Sequence, residues 1–345
     1  MKSKFFIRLS LLILFLVMLS LAGALCYRPM LLRTSQAFYL DKLDRLAALA
    51  EQPAPKAVFV GGSATLFGVH TELFEKTTGI PSVNMGMDAG TRFKIYMEAI
   101  KPYLKPGDFL FILPEYQYFY TDFKEVNPNL FNLLLCRPSL VRCLDALQYP
   151  QLLSVSLISG WQAWNNLTIE LMQEHLMKGG YGVYYRTNAN AWGDMIGHKD
   201  LPQRDYGLLS FPRIPIPDSF LNGMEAYIRE YTARGIHVYL IPPPMDKRFY
   251  DAEPEAFQGI GEQFRQLGQL CVPLGSLEES TYPPEVFYDT VYHLNWETGE
   301  EYTRKIIRAF QSQTGNESES HCLKKSAPKG EMEEGMYCTE CIKLV

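Results

Sequence analysis

Two short stretches at opposite ends of the chain carry side chains whose types and spacing suit nucleophilic chemistry. The first is Gly61-Gly62-Ser63-Ala64-Thr65, directly after the apolar run Ala57-Val58-Phe59-Val60. A serine between a strand end and a helix start holds its hydroxyl outward, and the flanking glycines let a substrate carbonyl approach. The second is Asp289-Thr290-Val291-Tyr292-His293. A carboxylate four residues ahead of a histidine can orient the imidazole and stabilise its cation while it takes a serine proton. Each stretch also has an ordinary reading: Gly-Gly-Ser is a frequent turn, and Asp289 and His293 can cap and pack the start of a helix. They form a site only if the fold brings the two ends of the chain together.

The intervening elements allow that. Ala57–Val60, Phe109–Leu113 (FLFIL) and Ile236–Ile241 (IHVYLI) are short apolar runs bounded by Gly or Pro, the pattern of strands buried on both faces. Helical spacing or length marks Ser35–Glu51, Phe93–Tyr103, Pro217–Arg234, Pro254–Leu267 and Trp296–Phe310, the last started by Asn295 as N-cap. Alternation of this kind predicts an α/β three-layer sandwich around a mainly parallel sheet, with ligands bound beyond the carboxyl ends of the strands. His237, inside the third strand, is expected in the core. Glu115 follows the second strand and therefore faces the site as a substrate-binding candidate. The aromatic-rich stretch of about 120–213 breaks the alternation and is expected to form an inserted lid.

The N-terminus addresses the chain to a membrane. Lys2, Lys4 and Arg8 precede Leu9–Cys26, eighteen residues without a charge, at the short end of what spans a bilayer. Basic residues ahead of the run hold that end in the cytoplasm and send the body across. Residues 1–28 are thus a signal anchor with an extracytoplasmic body, or a secretory signal if Ala22-Gly23-Ala24 is cleaved. A helical linker (29–54), the α/β domain (55–312) and a polar tail (313–345) complete the chain. Cys136 and Cys143 are close enough in sequence for a short disulfide loop. The tail's His321, Cys322, Cys338 and Cys341 can be written as a zinc set, but a flexible tail with a disulfide or free thiols fits better, and no metal is assigned. With a formal net charge of -5 over 345 residues and no basic stripe, a nucleic-acid partner is not expected.

The early Gly-x-Ser turn, the Asn84-Met85-Gly86 segment and the late Asp–His pair together resemble the SGNH/GDSL hydrolase superfamily. The resemblance implies a flavodoxin-like strand order, Ser63 as nucleophile, His293 as general base oriented by Asp289, and Gly86 as an oxyanion donor, with no cofactor. Three departures stand out. Gly62 replaces the Asp of simple members, Pro114-Glu115-Tyr116 stands where a third-block Asn would donate to the oxyanion, and Asp289 is four rather than three before the histidine. Asn84 is the candidate for the missing donor. These departures look more like the membrane-anchored branch, which includes D-alanine transfer and alginate O-acetylation proteins. That branch implies an esterase or O-acyltransferase on an acylated envelope polymer or glycan, beside a membrane-bound O-acyltransferase. Asn190-Ala191-Trp192-Gly193-Asp194 is similar to a stretch found in such proteins and adds Asn190 and Asp194 as substrate-binding candidates. The departures leave a second expectation open, a non-catalytic envelope scaffold or glycan-binding protein retaining the fold.

Overall fold

The computed structural model describes residues 2–88, 90–176 and 182–325. It divides into two units, Met1–Ile307 and Arg308–Val345. The first opens with α1 (Lys2–Leu31), whose Lys4–Leu31 portion is long and apolar enough to cross a membrane. A 3₁₀ turn, Ser35–Ala37, leads into α2 (Phe38–Ala50), which buries Phe38, Leu43, Leu46 and Leu49 on one face.

The sheet begins with β1 (Ala57–Gly61), followed by α3 (Ser63–Gly68), α4 (Thr71–Thr78) and β2 (Ser82–Asn84). Next come α5 (Phe93–Ile100) and β3 (Phe109–Leu113), then α6 (Pro128–Cys136) and α7 (Tyr149–Leu176). After α8 (Asp218–Ala233) the chain forms β4 (His237–Leu240), β5 (Met245–Asp246), α9 (Lys247–Ala252), α10 (Pro254–Gly268), β6 (Val272–Pro273) and β7 (Thr281–Tyr282). The last helix is α11 (Trp296–Lys325), and the Asn295 side chain accepts from the Thr298 N–H as the expected cap.

Five strands pair in the order β2-β1-β3-β4-β6, every neighbour parallel, while β5 and β7 form a separate two-stranded pair. Helices flank the five-stranded sheet, which makes the body a mixed α/β fold compatible with a three-layer sandwich. Charge-free runs such as Phe109–Leu113 lie in its middle because a parallel strand has both faces covered. The chain steps to one side of β1 for β2 and to the other side for β3, so the switch point of the sheet lies between β1 and β3. Gly61 is in register with Leu113, which sets Gly62-Ser63 beside Pro114-Glu115 at the carboxyl edge.

Four expectations need revision. His237 opens β4 at the rim, exposed and stacked on Phe109, because only the later residues of that strand enter the core. Cys136 and Cys143 are free thiols: Cys136 packs with Tyr27, Met30 and Leu31, whereas Cys143 belongs to the main core. The inserted stretch is not uniformly a lid, since α6 and α7 lie along α1. Finally, α11 continues to Lys325, past the point where the polar tail was expected to begin; Cys338 and Cys341 lie outside the described residues.

Candidate active site

Close approach explains the paired glycines. A Cβ at Gly61 would fall 1.9 Å from Thr65 Oγ1 and 2.5 Å from the Leu113 carbonyl. One at Gly62 would fall 2.4 Å from Glu115 Oε1. Only glycines let β1 turn into α3 with the Glu115 carboxyl tucked beneath the turn. Ser63 opens α3, and its hydroxyl donates to Glu115 Oε1 at 3.1 Å. The Ala64 N–H donates to the same oxygen at 2.6 Å. Glu115 is fully buried, and its other oxygen, Oε2, has no hydrogen-bond partner among the described residues. Burial pushes this carboxyl above its ordinary value; the Ala64 N–H, the nearby His293 and the Ser63 hydroxyl oppose the shift without cancelling it.

His293 enters from the other end of the chain. Its imidazole lies flat on the Phe67 ring, with centroids 4.0 Å apart and planes 1° from parallel. Phe67 is four residues after Ser63 on α3, so the serine and the imidazole share one helical face. His293 Nδ1 is 2.6 Å from Asp289 Oδ1, and the Tyr184 hydroxyl donates to Asp289 Oδ2 at 3.2 Å. Burial alone would raise Asp289, but His293, Tyr184 and Arg204 outweigh it and hold the carboxyl below its ordinary value. The backbone is fixed as well: the Tyr288 N–H donates to the His293 carbonyl at 2.7 Å, across the turn that carries the pair. Four residues of separation suit this turn, so the departure from the usual spacing leaves the Asp–His contact intact. The Ser63 hydroxyl is bonded to Glu115 and not to His293.

Gly86 and Asn84, expected as oxyanion donors, face inward. The Gly86 N–H donates to Asn84 Oδ1 at 2.9 Å, and Asn84 Nδ2 donates to the carbonyls of Thr65 and Val69 at 3.0 and 2.9 Å. Both lie under α3, where a Cβ at Gly86 would come within 2.5 Å of the Leu66 nitrogen. The buried Lys42 ammonium donates to the Gly86 carbonyl, and burial lowers Lys42 to about 7. This segment therefore supports α3 from below.

Asn190 and Asp194, expected to bind substrate, also bind within the fold. Asp194 is buried; its Oδ1 accepts from the Thr71 N–H and hydroxyl at 2.9 and 2.6 Å, and its Oδ2 accepts from the Glu72 N–H at 3.1 Å. Those donors belong to the first turn of α4, which Asp194 caps from a distant loop. Asn190 Oδ1 accepts from the N–H groups of Trp192 and Asp194, shaping the loop as an Asx turn. The Asn84 N–H then donates to the Trp192 carbonyl, closing the loop on the edge of β2. The resemblance of this stretch thus falls on a latch rather than a pocket.

Sequence reasoning missed Phe67 and Tyr184, the two residues that place the Asp289–His293 pair. Helical spacing from Ser63 offered a signal for Phe67; Tyr184 had none. His198 lies beneath the pair, buried 4.8 Å from the Phe67 ring centroid with neither ring nitrogen hydrogen-bonded, and burial lowers it to about 4. His70, its ring tilted against Trp296 with centroids 4.0 Å apart, is also without a ring-nitrogen partner. Among the described residues no group of His, Cys, Asp or Glu is placed to hold a metal ion. Comparison with family models, curated proteins and solved structures finds no match to this chain.

Proposed function

We propose that the protein is a serine esterase or O-acyltransferase, anchored by α1 with its body on the extracytoplasmic side of the membrane, acting on an acylated envelope polymer or glycan. The observation that carries this reading is the flat stack of His293 on Phe67, which sets a carboxylate-oriented imidazole on the helical face that begins with Ser63. Substrate would draw the Ser63 hydroxyl from Glu115 toward His293. The imidazole would accept its proton as Oγ attacks an acyl carbonyl, with Asp289 stabilising the resulting cation. The imidazolium would protonate the donor's leaving oxygen as the acyl-enzyme forms. His293 would then take a proton from the acceptor, water or a polymer hydroxyl, as it attacks, and return it to Ser63 Oγ as the acyl group departs. A membrane-bound O-acyltransferase is the partner this reading calls for in the transfer case.

Glu115 takes the role of the absent third-block Asn. Oε1 already accepts from Ser63 and Ala64, so Oε2 is the oxygen on which a protonated carboxyl would present a hydrogen to the developing oxyanion, and burial shifts the group toward that form. Glu115→Gln, which keeps one acceptor and supplies an amide donor, is expected to retain reaction with a fluorophosphonate probe within a few-fold. Glu115→Ala is expected to lose at least about tenfold. Loss of reaction in the Gln variant would instead make the ionised carboxylate essential and remove this role.

The second reading, a non-catalytic scaffold or glycan-binding protein, draws support from the Ser63–Glu115 bond and from the inward-facing Gly86 and Asn84. Fluorophosphonate labelling of the full chain separates the two. Labelling lost in Ser63→Ala and strongly reduced in His293→Ala is the result expected of the enzyme. A folded parent that does not label supports the scaffold.

A further inference from the structure

The strongest feature outside the candidate site is the pairing of α1 with α7. Backbones approach closely where small residues meet: a Cβ at Gly23 would fall 2.3 Å from the Gly160 carbonyl, and one at Gly160 would fall 2.3 Å from the Ser20 carbonyl. The Ser20 hydroxyl donates to the Leu157 carbonyl at 2.7 Å, and Trp164 Nε1 donates to the Leu19 carbonyl at 3.1 Å. Ser20 and Ala24 are buried in this contact, whereas Phe5 through Leu16 are exposed around the lower part of α1. The upper half of α1 is thus an element of the fold, and cleavage after Ala24 would strip α7 of its partner.

Depth follows from helix geometry. Arg28 ends the uncharged run of α1 and marks the upper edge of its apolar surface. Leu19–Gly23 lie roughly 8–13 Å below Arg28 at the rise of an α-helix. If α1 spans the bilayer, whatever grips those residues sits at the same level, inside the outer leaflet. The α7 sequence suits that medium. Tyr149–Ile169 is 21 residues without a charge, in a chain that is 21% charged. At that share about four charges would be expected on a helix facing water. Leu153, Ile158 and Trp161 point outward from α7, and an apolar groove of about 530 Å³ between α1, α6 and α7 is lined by Leu25, Phe131, Leu134, Leu135 and Leu152.

We infer that the exposed face of α7 around Ile158 and Trp161 is bedded in the outer leaflet beside α1, with lipid acyl chains as its covering. The inference rests on the reading of α1 as a membrane span. Continuity decides the occupant: Leu153, Ile158, Trp161 and Ile169 carry the apolar surface of α1 onward along an uncharged face whose polar members are neutral amides and hydroxyls such as Gln162 and Asn165, and tryptophan is a residue of the membrane interface.

The test uses the full chain in phosphatidylcholine nanodiscs, plain or brominated on the upper acyl carbons. Bromine quenches tryptophan only at contact range, and Trp192 and Trp296 on the body serve as an internal reference. The expected result is lower emission in brominated discs, with at least about half of that loss abolished in Trp161→Phe. A chain that elutes apart from the discs overturns the anchor reading and this inference with it. A chain that co-elutes but whose emission is the same in both discs, or whose quenching is unchanged in Trp161→Phe, overturns the inference alone and assigns the face to protein.

Discussion

The inserted stretch divides into two limbs held by opposite chemistry. The first, α6 and α7, meets α1 through small residues, close backbones and hydrogen bonds to main-chain carbonyls, with no ion pair between α1 and α7 among the described residues. The second, from Gly182 to Phe211, has almost no regular structure and is held by polar side chains: Tyr184 on Asp289, Asn190 and Asp194 on α4, and Tyr206 on Asp246 at 2.9 Å. The contrast teaches how one insertion serves two surroundings. Helix pairing satisfies its own backbone and tolerates an apolar medium. An irregular segment needs a side-chain partner for each buried polar group and suits a limb that crosses a polar site edge.

Disrupting each limb should produce a different failure. Asp194→Ala is expected to have the largest effect, because it leaves the Thr71 and Glu72 donors without their acceptor. We expect a loss of about 3 kcal/mol in denaturant unfolding, and a loss under about 1 kcal/mol would show that the latch is dispensable. Gly160→Leu forces a side chain into the Ser20 carbonyl and should destabilise the α1–α7 pair by about 2 kcal/mol. Reaction of Ser63 with a fluorophosphonate should stay within about twofold of the parent in that variant, since no contact of Gly160 reaches the site; a larger fall would couple the limbs.

Acid should act on the second limb through His198. His198 is lowered to about 4 by burial, from an ordinary value near 6.5, with His70 and His293 adding to the shift and Asp289 opposing it. A histidine held neutral contributes stability that is full above the unfolded value and is lost as pH falls below it toward the folded one. Between pH 7 and pH 5 the expected loss is about 2 kcal/mol, and His198→Phe, which keeps a ring against Phe67 and Tyr288, should flatten the profile. An unchanged slope in that variant would assign the acid sensitivity elsewhere. Tyr184→Phe is the mildest change. One hydrogen bond to the Asp289 carboxylate is removed, and the labelling rate should fall by about fivefold.

How much of this was legible in the sequence depended on element length and on register. β1, β3 and β4 announced themselves as apolar runs between Gly and Pro. β2 and β6 did not, because three residues ending in Asn and two ending in Pro carry no period. Asp289 and His293 could be paired from spacing, since one turn holds both. The Ser63–Glu115 bond could not, because it exists only through the alignment of Gly61 with Leu113. The role of α7 was hidden for another reason: its signature is missing charge rather than a strong apolar period. That uncharged run, with Gly160 in its middle, was the available signal.

The turn beneath Ser63 constrains the order in which this protein can change. Because the Glu115 carboxyl occupies the space that a side chain on residue 62 would take, the two positions are interlocked. Alanine or aspartate at 62 would have to displace a buried carboxyl, whereas the same replacement in a Glu115→Gly background would meet an empty space. A side chain gained first at position 62 would swing the Glu115 carboxyl off the Ser63 hydroxyl and the Ala64 N–H, whereas one gained after position 115 has lost its own would leave nothing to displace.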